Sequence, residues 1–435
     1  MNKQLKQLLA GGAAMLAVLI VFAMLITPIR VRILNKYTEV RASIKYTIHP
    51  PEKVIFSPGD QVAVVVRQTM TALSASFTAT PSPTVTPTFS TPFPTATPTI
   101  TSTPLPERVE LRGIHYFDQH AAWNYCAPAN LAMALSFWGW KGDREDTAHV
   151  LKPYSLDKNV MPYEMQDFVL QETELKAVIR VGGDVQMLKN IIAAGFPVLI
   201  EKSETLQAGE FGSNGGWLGH YMVFNGYDET KQVFIGQDSL RGADQETPYK
   251  GFEDDWRAFN YLYLVIYPQE KETVVFQILG DQADETANYE YAALKAANEV
   301  EGLSGRDQFF AYFNRGTNLV SLQDYGGAAL AYDAAFAIYP DITEADRPYR
   351  TMWYQTGPYF AYYFSGRYWD VINLATTTLD AMSEPMLEES YYWRARAELA
   401  LNDTAGAYRD VRSALKYHKG FVPALQLQSE MGEQP

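Results

Sequence analysis

The sequence predicts an α+β domain followed by an all-α helical repeat array, both set behind an N-terminal transmembrane helix and a disordered Pro/Thr linker. Three observations carry this reading. From Val109 to Tyr267, β-branched and alternating runs interleave with apolar residues at helical spacing. Beyond Lys271 only the helical period remains. Residues 69–106 are Thr, Pro and Ser repeated, a composition with nothing to build a core from. A length of 435 residues is enough for two or three domains, each with its own core. The net charge of −14 argues against nucleic acid as a partner, because phosphate binding needs clustered Lys and Arg. A single cysteine permits no intrachain disulfide, and Cys and His lack zinc-ligand spacing, so no metal or cofactor is expected.

In chain order, residues 1–30 read as a cytoplasmic tail and membrane anchor. Leu8 to Ile29 is uncharged and apolar, long enough to cross a bilayer core of about 30 Å. Neither a small-x-small cleavage site nor a lipobox cysteine follows it, which favours an uncleaved anchor over a signal peptide. Lys3 and Lys6 precede the run, and Arg30, Arg32, Lys36 and Arg41 follow it. Taken alone, the positive-inside rule would keep the C-terminus in the cytoplasm. The stalk-like linker points the other way. The expectation carried forward is a single-pass protein of the cell membrane with extracytoplasmic C-terminal domains.

Residues 31–68 read as a small membrane-proximal β segment, with strands at Ser43–Ile48 and Gln61–Val66. The linker, 69–106, would extend at about 3.1 Å per residue, a reach on the order of 100 Å. In the domain assigned to 107–270, Val109–Ile114, Lys176–Arg180, Pro197–Glu201, the stretch from His220 and Val233–Gly236 read as strands. Ala129–Trp138, Asp146–Leu151, Met161–Gln171 and Val185–Ala194 read as helices. The glycine-rich stretch Gln207–Trp217 reads as a surface loop or a lid.

Chemistry centres on Trp123-Asn124-Tyr125-Cys126-Ala127-Pro128-Ala129-Asn130. Pro128 suits a first helical turn, which places the only thiol at a helix N-terminus. The positive end of the backbone dipoles favours thiolate there, although a buried structural cysteine fits the same position. Downstream, Gly219-His220-Tyr221 opens a strand, and Gln237-Asp238-Ser239 follows the next one. Cysteine, then histidine, then acid is a nucleophile, base and orienter set. His115 and His120 are nearer Cys126 in sequence and stand as rival bases.

The order Gln…Cys-x-Pro-Ala…Gly-His-Tyr…Asp resembles the papain-like cysteine peptidases of family C-thirty-nine, which process double-glycine leader peptides. The resemblance spans roughly Val109 to Tyr267. It implies a papain-like α+β fold and hydrolysis of peptide bonds, with Cys126 as nucleophile, His220 as base and Asp238 as orienter. It also implies an amide ahead of the cysteine that donates to the oxyanion. Gln119 and Asn124 are the two candidates. Ala127 stands where the family usually has Gly. Two rival functions use the same residues: an inactive peptide-binding scaffold, and amidase or transglutaminase-like acyl transfer.

For 271–435, the residues Tyr312, Gly316, Leu319, Tyr325, Ala328, Tyr332, Ala335 and Pro340 fall at the positions a tetratricopeptide repeat requires. A second unit is read at about Met352–Ser383 and a third at about Glu388–Phe421. Such arrays usually hold a peptide or protein. The expected partners are therefore a peptide or protein substrate, a protein bound by the repeats, and the membrane.

Overall fold

The computed structural model describes residues 27–59, 104–120, 124–154, 159–212 and 215–432. Most of the apolar run Leu8–Ile29, the Gln61–Val66 stretch and nearly all of the linker lie outside these residues. Among the described residues, no helix is long and apolar enough to cross a membrane.

The first described element corrects an expectation. Ser43–Ile48 is the last part of a helix, α1 (Thr27–Ile48), and not a strand. The alternation of Ile44, Tyr46 and Ile48 is compatible with either period, and tertiary contacts decide between them. Arg41, Ala42, Lys45 and Tyr46 lie at helical spacing on one face. Arg41 pairs with Glu384 at 2.7 Å, Lys45 donates to the Asp380 carbonyl at 2.9 Å, and Tyr46 accepts the Ser383 N–H at 3.1 Å. A strand would send neighbouring members of that set to opposite sides.

Seven strands form one antiparallel sheet: β1 (Arg108–Glu110), β2 (Leu175–Arg180), β3 (Val198–Leu206), β4 (Gly216–Asp228), β5 (Val233–Asp238), β6 (Gly242–Pro248) and β7 (Tyr263–Pro268). Their order is β2-β7-β3-β4-β5-β6, with β1 also on β4. Both faces are covered. Helices α2 (Cys126–Phe137), α3 (Arg144–Leu151) and α4 (Pro162–Glu172) bury Leu131, Met133, Met165 and Phe168 against Ala177, Leu199, Val223 and Leu264. Helices α5 (Val185–Ala193), α6 (Tyr249–Arg257) and α7 (Glu272–Leu279) bury Leu188, Ile191, Phe252 and Trp256 against Val178, Ile200, Phe224 and Val265. Neighbouring strand residues thus serve opposite cores, the two-residue period of a sheet buried on both faces. Each such side chain contributes roughly 1.5–3 kcal/mol of burial.

The helices of the C-terminal unit are α8 (Glu285–Val300), α9 (Gly305–Ser321), α10 (Tyr325–Ile338), the short α11 (Thr351–Tyr354), α12 (Gly357–Phe364), α13 (Tyr368–Ala381), α14 (Glu388–Ala400), α15 (Thr404–Tyr417) and α16 (Val422–Glu430). Asp324 and Asp403 start α10 and α15 alike, each accepting a backbone N–H at 2.9 Å, from Gly327 and Gly406. Gly316 is small for a reason: a Cβ there would stand 2.8 Å from the Tyr332 ring. Ala328, Ala335, Ala375, Ala395, Ala407 and Ala414 are all buried at helix contacts.

One core joins the two parts. Trp217 of β4 stacks on Phe259 and on Phe310 of α9, each at 5.8 Å between centroids. Asn260 and Asn318 exchange hydrogen bonds of 2.7 and 3.1 Å. Arg350 donates to the Trp217 carbonyl at 2.6 Å, close to the point where β4 delivers His220.

Candidate active site

Helix α2 begins at Cys126 itself, so the thiol sits on the first turn, where backbone N–H groups are unpaired and the helix dipole is positive. Ala127 is buried in the core beside it, and its backbone is helical, so nothing at that position demands glycine. Cys126 is half-buried.

His220 reaches the thiol from β4 and has no exposed surface. Its Nε2 meets Oδ1 of Asp238, at the end of β5, at 2.8 Å. Nδ1 is buried, without a regular hydrogen bond among the described residues, and is the ring nitrogen left to face Cys126, whose titration is tied to the imidazole. Oδ1 of Asp238 also accepts the N–H groups of Leu240 at 2.8 Å and Arg241 at 3.1 Å. These donors fix the carboxylate, and the carboxylate fixes the ring.

The electrostatics follow. Burial pushes the Asp238 carboxyl up, but the His220 charge and the hydrogen bonds overcome it and hold the group well below the usual carboxylate range. Burial pushes the His220 imidazolium down; the Asp238 charge and hydrogen bond, with the Cys126 thiolate, raise its pKa from 6.5 to about 10. Burial pushes the Cys126 thiol up. The facing imidazole, the Tyr221 N–H and the Lys152 charge bring its pKa below the ordinary value. Both shifts act in the direction of a thiolate beside an imidazolium.

Gln119 arrives by a separate route. Its backbone N–H donates to the Ser239 carbonyl at 2.8 Å, and its Oε1 accepts the Ser239 hydroxyl at 2.7 Å. Ser239 in turn accepts from Asn130 Nδ2 at 2.8 Å. Asn130 Nδ2 also lies 2.7 Å from the Tyr221 carbonyl and 2.8 Å from that of Cys126. This chain ties α2, β4, the residue after Asp238 and Gln119 into one network. With Oε1 engaged, the Gln119 amide nitrogen is the end that remains to donate. Asn124 takes a left-handed φ of 53°, the turn that leads the backbone into α2. His115 and His120 are exposed; His115 packs on Phe117, and His120 lies against Asp118 and Phe211. The structure does not bring these two to the thiol.

Sequence reasoning missed several neighbours. Asn130 follows Cys126 by one helical turn, and a lone amide in an otherwise apolar helix is a signal that could have marked it. Glu201 pairs across the sheet with Tyr221 and is buried. Burial pushes its carboxyl well above the usual range, the Cys126 charge adds to this, and a hydrogen bond to Tyr221 opposes it. Tyr354 comes from α11 of the helical unit, with its ring 5.7 Å from Phe259. Burial pushes its phenol up to about 12, the Cys126 charge acts in the same direction, and the Gly219 N–H pulls it back. No pattern within 107–270 could have announced a residue so far downstream.

The loop Gln207–Trp217 is held in part. Glu210 accepts the Gln207 N–H at 2.9 Å and pairs with Arg241 at 3.4 Å. Arg241 also binds Glu204 at 2.5 Å. The described part of the loop is therefore tied to the turn that carries Asp238.

The sequence profile of the Peptidase_C39 like family matches residues 111–264. That match covers β2 to β6, the start of β7, helices α2 to α6, and Cys126, His220 and Asp238. Among solved structures, the crystal structure of a C39-like peptidase from Bacillus anthracis matches at 19% identity. The match covers 37% of this chain and 98% of that one, with a TM-score of 0.31. No curated protein matches the chain. The antiparallel sheet domain is consistent with a papain-like peptidase fold, and a helical C-terminal region follows it.

Proposed function

We propose that the protein is a cysteine peptidase in which Cys126, His220 and Asp238 act as nucleophile, general acid–base and orienter. The observation that carries this is the fully buried imidazole of His220, with Nε2 held 2.8 Å from Asp238 and Nδ1 turned to the only thiol in the chain. The Cys126 thiolate attacks a peptide carbonyl carbon, forming a C–S bond while the carbonyl π pair moves onto oxygen. The first-turn N–H groups of α2 and the Gln119 amide would donate to that oxyanion. Collapse expels the amine, which takes the proton of the His220 imidazolium. Neutral His220 then accepts a proton from water; the hydroxide equivalent attacks the thioester, and the acid product leaves with the thiolate restored.

The alternation of Gly316 and buried alanines with large rings supports reading the helical unit as tetratricopeptide-like, with a protein or peptide as its partner. The uncharged run Leu8–Ile29 supports membrane anchoring, and the Pro/Thr-rich linker supports an extracytoplasmic body.

Screening a fluorogenic peptide library with wild type and Cys126→Ala tests the catalytic reading. Turnover confined to wild type supports it. Running the same reactions with a added primary amine separates hydrolysis from transfer, because transfer gives an amide product of larger mass. No turnover of any peptide, together with an unreactive thiol, would leave a binding module.

A further inference from the structure

The repeat-like helices already hold a peptide, and it is the chain's own. Pro51–Lys53 forms a single 3-10 turn, after which Val54–Gly59 runs without regular structure over α10, α12 and α13. Phe56 is 6% exposed. Its ring meets Phe336 of α10 edge-on at 4.9 Å and Tyr362 of α12 at 6.2 Å.

The backbone of the segment is read as well. Arg347, itself 9% exposed, spends its guanidinium on three carbonyls: Ile342 at 3.0 Å, Pro340 at 2.7 Å and Glu52 at 2.8 Å. The Gly59 N–H donates to Asp370 Oδ1 at 2.7 Å, while Arg367 holds the other oxygen of that carboxylate at 2.7 Å. Close contact favours glycine there, since a Cβ would stand 3.2 Å from Asp370 Oδ1. A cavity of about 50 Å³, lined in part by Val54, Phe56, Phe309 and Met352, remains beside the segment. An apolar anchor in an aromatic pocket, with charged groups gripping the backbone at both ends, is how extended peptides are bound.

The other end of the linker is fixed to the same body. The Tyr227 hydroxyl donates to the Pro106 carbonyl at 3.0 Å, and Arg108–Glu110 pairs with β4. The described residues on both sides of 60–103, up to Gly59 and from Pro104, therefore contact the same folded body.

We propose that the surface formed by α10, α12 and α13 is a peptide-binding site whose resident ligand is the segment Pro50–Gly59. The body is then docked directly on the N-terminal helix, through contacts made by the residues on either side of 60–103. The ligand class follows from the contacts: an extended segment with a buried aromatic, a carbonyl for Arg347 ahead of it and a glycine N–H for Asp370 behind it. Any external partner at this surface has to displace the resident segment. This inference does not depend on peptidase activity.

The test uses the full chain in detergent, with a site-specific protease sequence inserted between Thr86 and Pro87. After complete cutting, the N-terminal piece is expected to co-elute with the body in gel filtration. Adding a synthetic peptide of residues 49–59 in excess is expected to release it. Phe56→Ala, which removes the aromatic anchor, is expected to speed its loss on the order of a hundredfold or more. Phe56 lies on the detachable piece, so circular dichroism of the separated body checks that the fold of the remainder is unchanged. Separation of the unmutated pieces on cutting would overturn the proposal. So would retention that neither the peptide nor Phe56→Ala weakens.

Discussion

Replacing Asn130 by Leu keeps the branched skeleton but removes every polar atom, and so perturbs the network that joins the thiol's helix to the sheet. The wild-type amide is fully buried and lies within 2.7–2.8 Å of three acceptors, the carbonyls of Tyr221 and Cys126 and the Ser239 hydroxyl. Each buried hydrogen bond contributes about 0.5–1.5 kcal/mol, and each acceptor left without a donor costs about 1–3 kcal/mol. Cys126 keeps its place in the helical ladder, and Ser239 keeps Gln119, so Tyr221 bears most of the loss. A total of about 2–4 kcal/mol results, a large part of the 5–15 kcal/mol that typically holds a domain. With a urea slope of roughly 2–3 kcal/mol/M, the unfolding midpoint falls by about 1 M. Tryptophan fluorescence during urea titration reads this, since Trp217 and Trp256 are buried in the two cores. A midpoint within about 0.2 M of wild type, equivalent to roughly 0.5 kcal/mol, would refute the claim that the network holds the site together.

Four further outcomes follow from contacts elsewhere in the molecule. Asp238→Asn keeps an acceptor for His220 but removes the charge, so the upper pH limit of thiolate–imidazolium reactivity falls from about 10 by roughly 1–3 pH units, read from pH-dependent alkylation of Cys126. The stability sign is also fixed. With its pKa raised from 6.5, His220 contributes fully below that pH and loses the contribution toward pH 10; with its pKa lowered from 3.8, Asp238 contributes above that pH and loses it on acidification. Thermal melts across pH should show this curvature in wild type and a flatter profile in Asp238→Asn. Gln119→Ala should lower kcat by about 10²–10³ with a smaller effect on KM, provided its amide serves the oxyanion; an equal change confined to KM would assign it to binding instead. Gly316→Val should destabilise the helical unit by about 1–3 kcal/mol through collision with the Tyr332 ring, measurable as a lower melting temperature.

Much of the sheet domain was legible in the sequence because its signals are local. The strand runs at Lys176–Arg180 and Pro197–Glu201, and the helices near Met161 and Val185, come out within a few residues of β2, β3, α4 and α5. Cys126 and Asp238 could be ordered as a set with His220 because they sit at the start and the end of elements, where periodicity breaks; the strand that carries His220 begins earlier than its apolar run suggests, at Gly216. What escaped is set by distant partners. Ser43–Ile48 looks like a strand until residues 380–384 supply contacts at helical spacing. β6 is polar and mostly exposed, so Gly242–Pro248 carries no hydrophobic alternation to read. Ser239 is an ordinary turn residue until folding sets it between Asn130 and Gln119. Tyr354 belongs to another part of the chain. Phe56 reads as one more apolar residue before a linker, and only the pocket between α10 and α12 explains it.

The central claim is that Cys126 is a nucleophile activated by His220. Its most direct test is the iodoacetamide alkylation rate of Cys126 across pH, in wild type and His220→Ala. The account predicts fast alkylation that persists well below pH 8 in wild type. In the variant, the rate should follow an ordinary thiol with a pKa of roughly 8.5 or above. Identical slow profiles in the two proteins would contradict it, and would return Cys126 to the role of a buried structural cysteine.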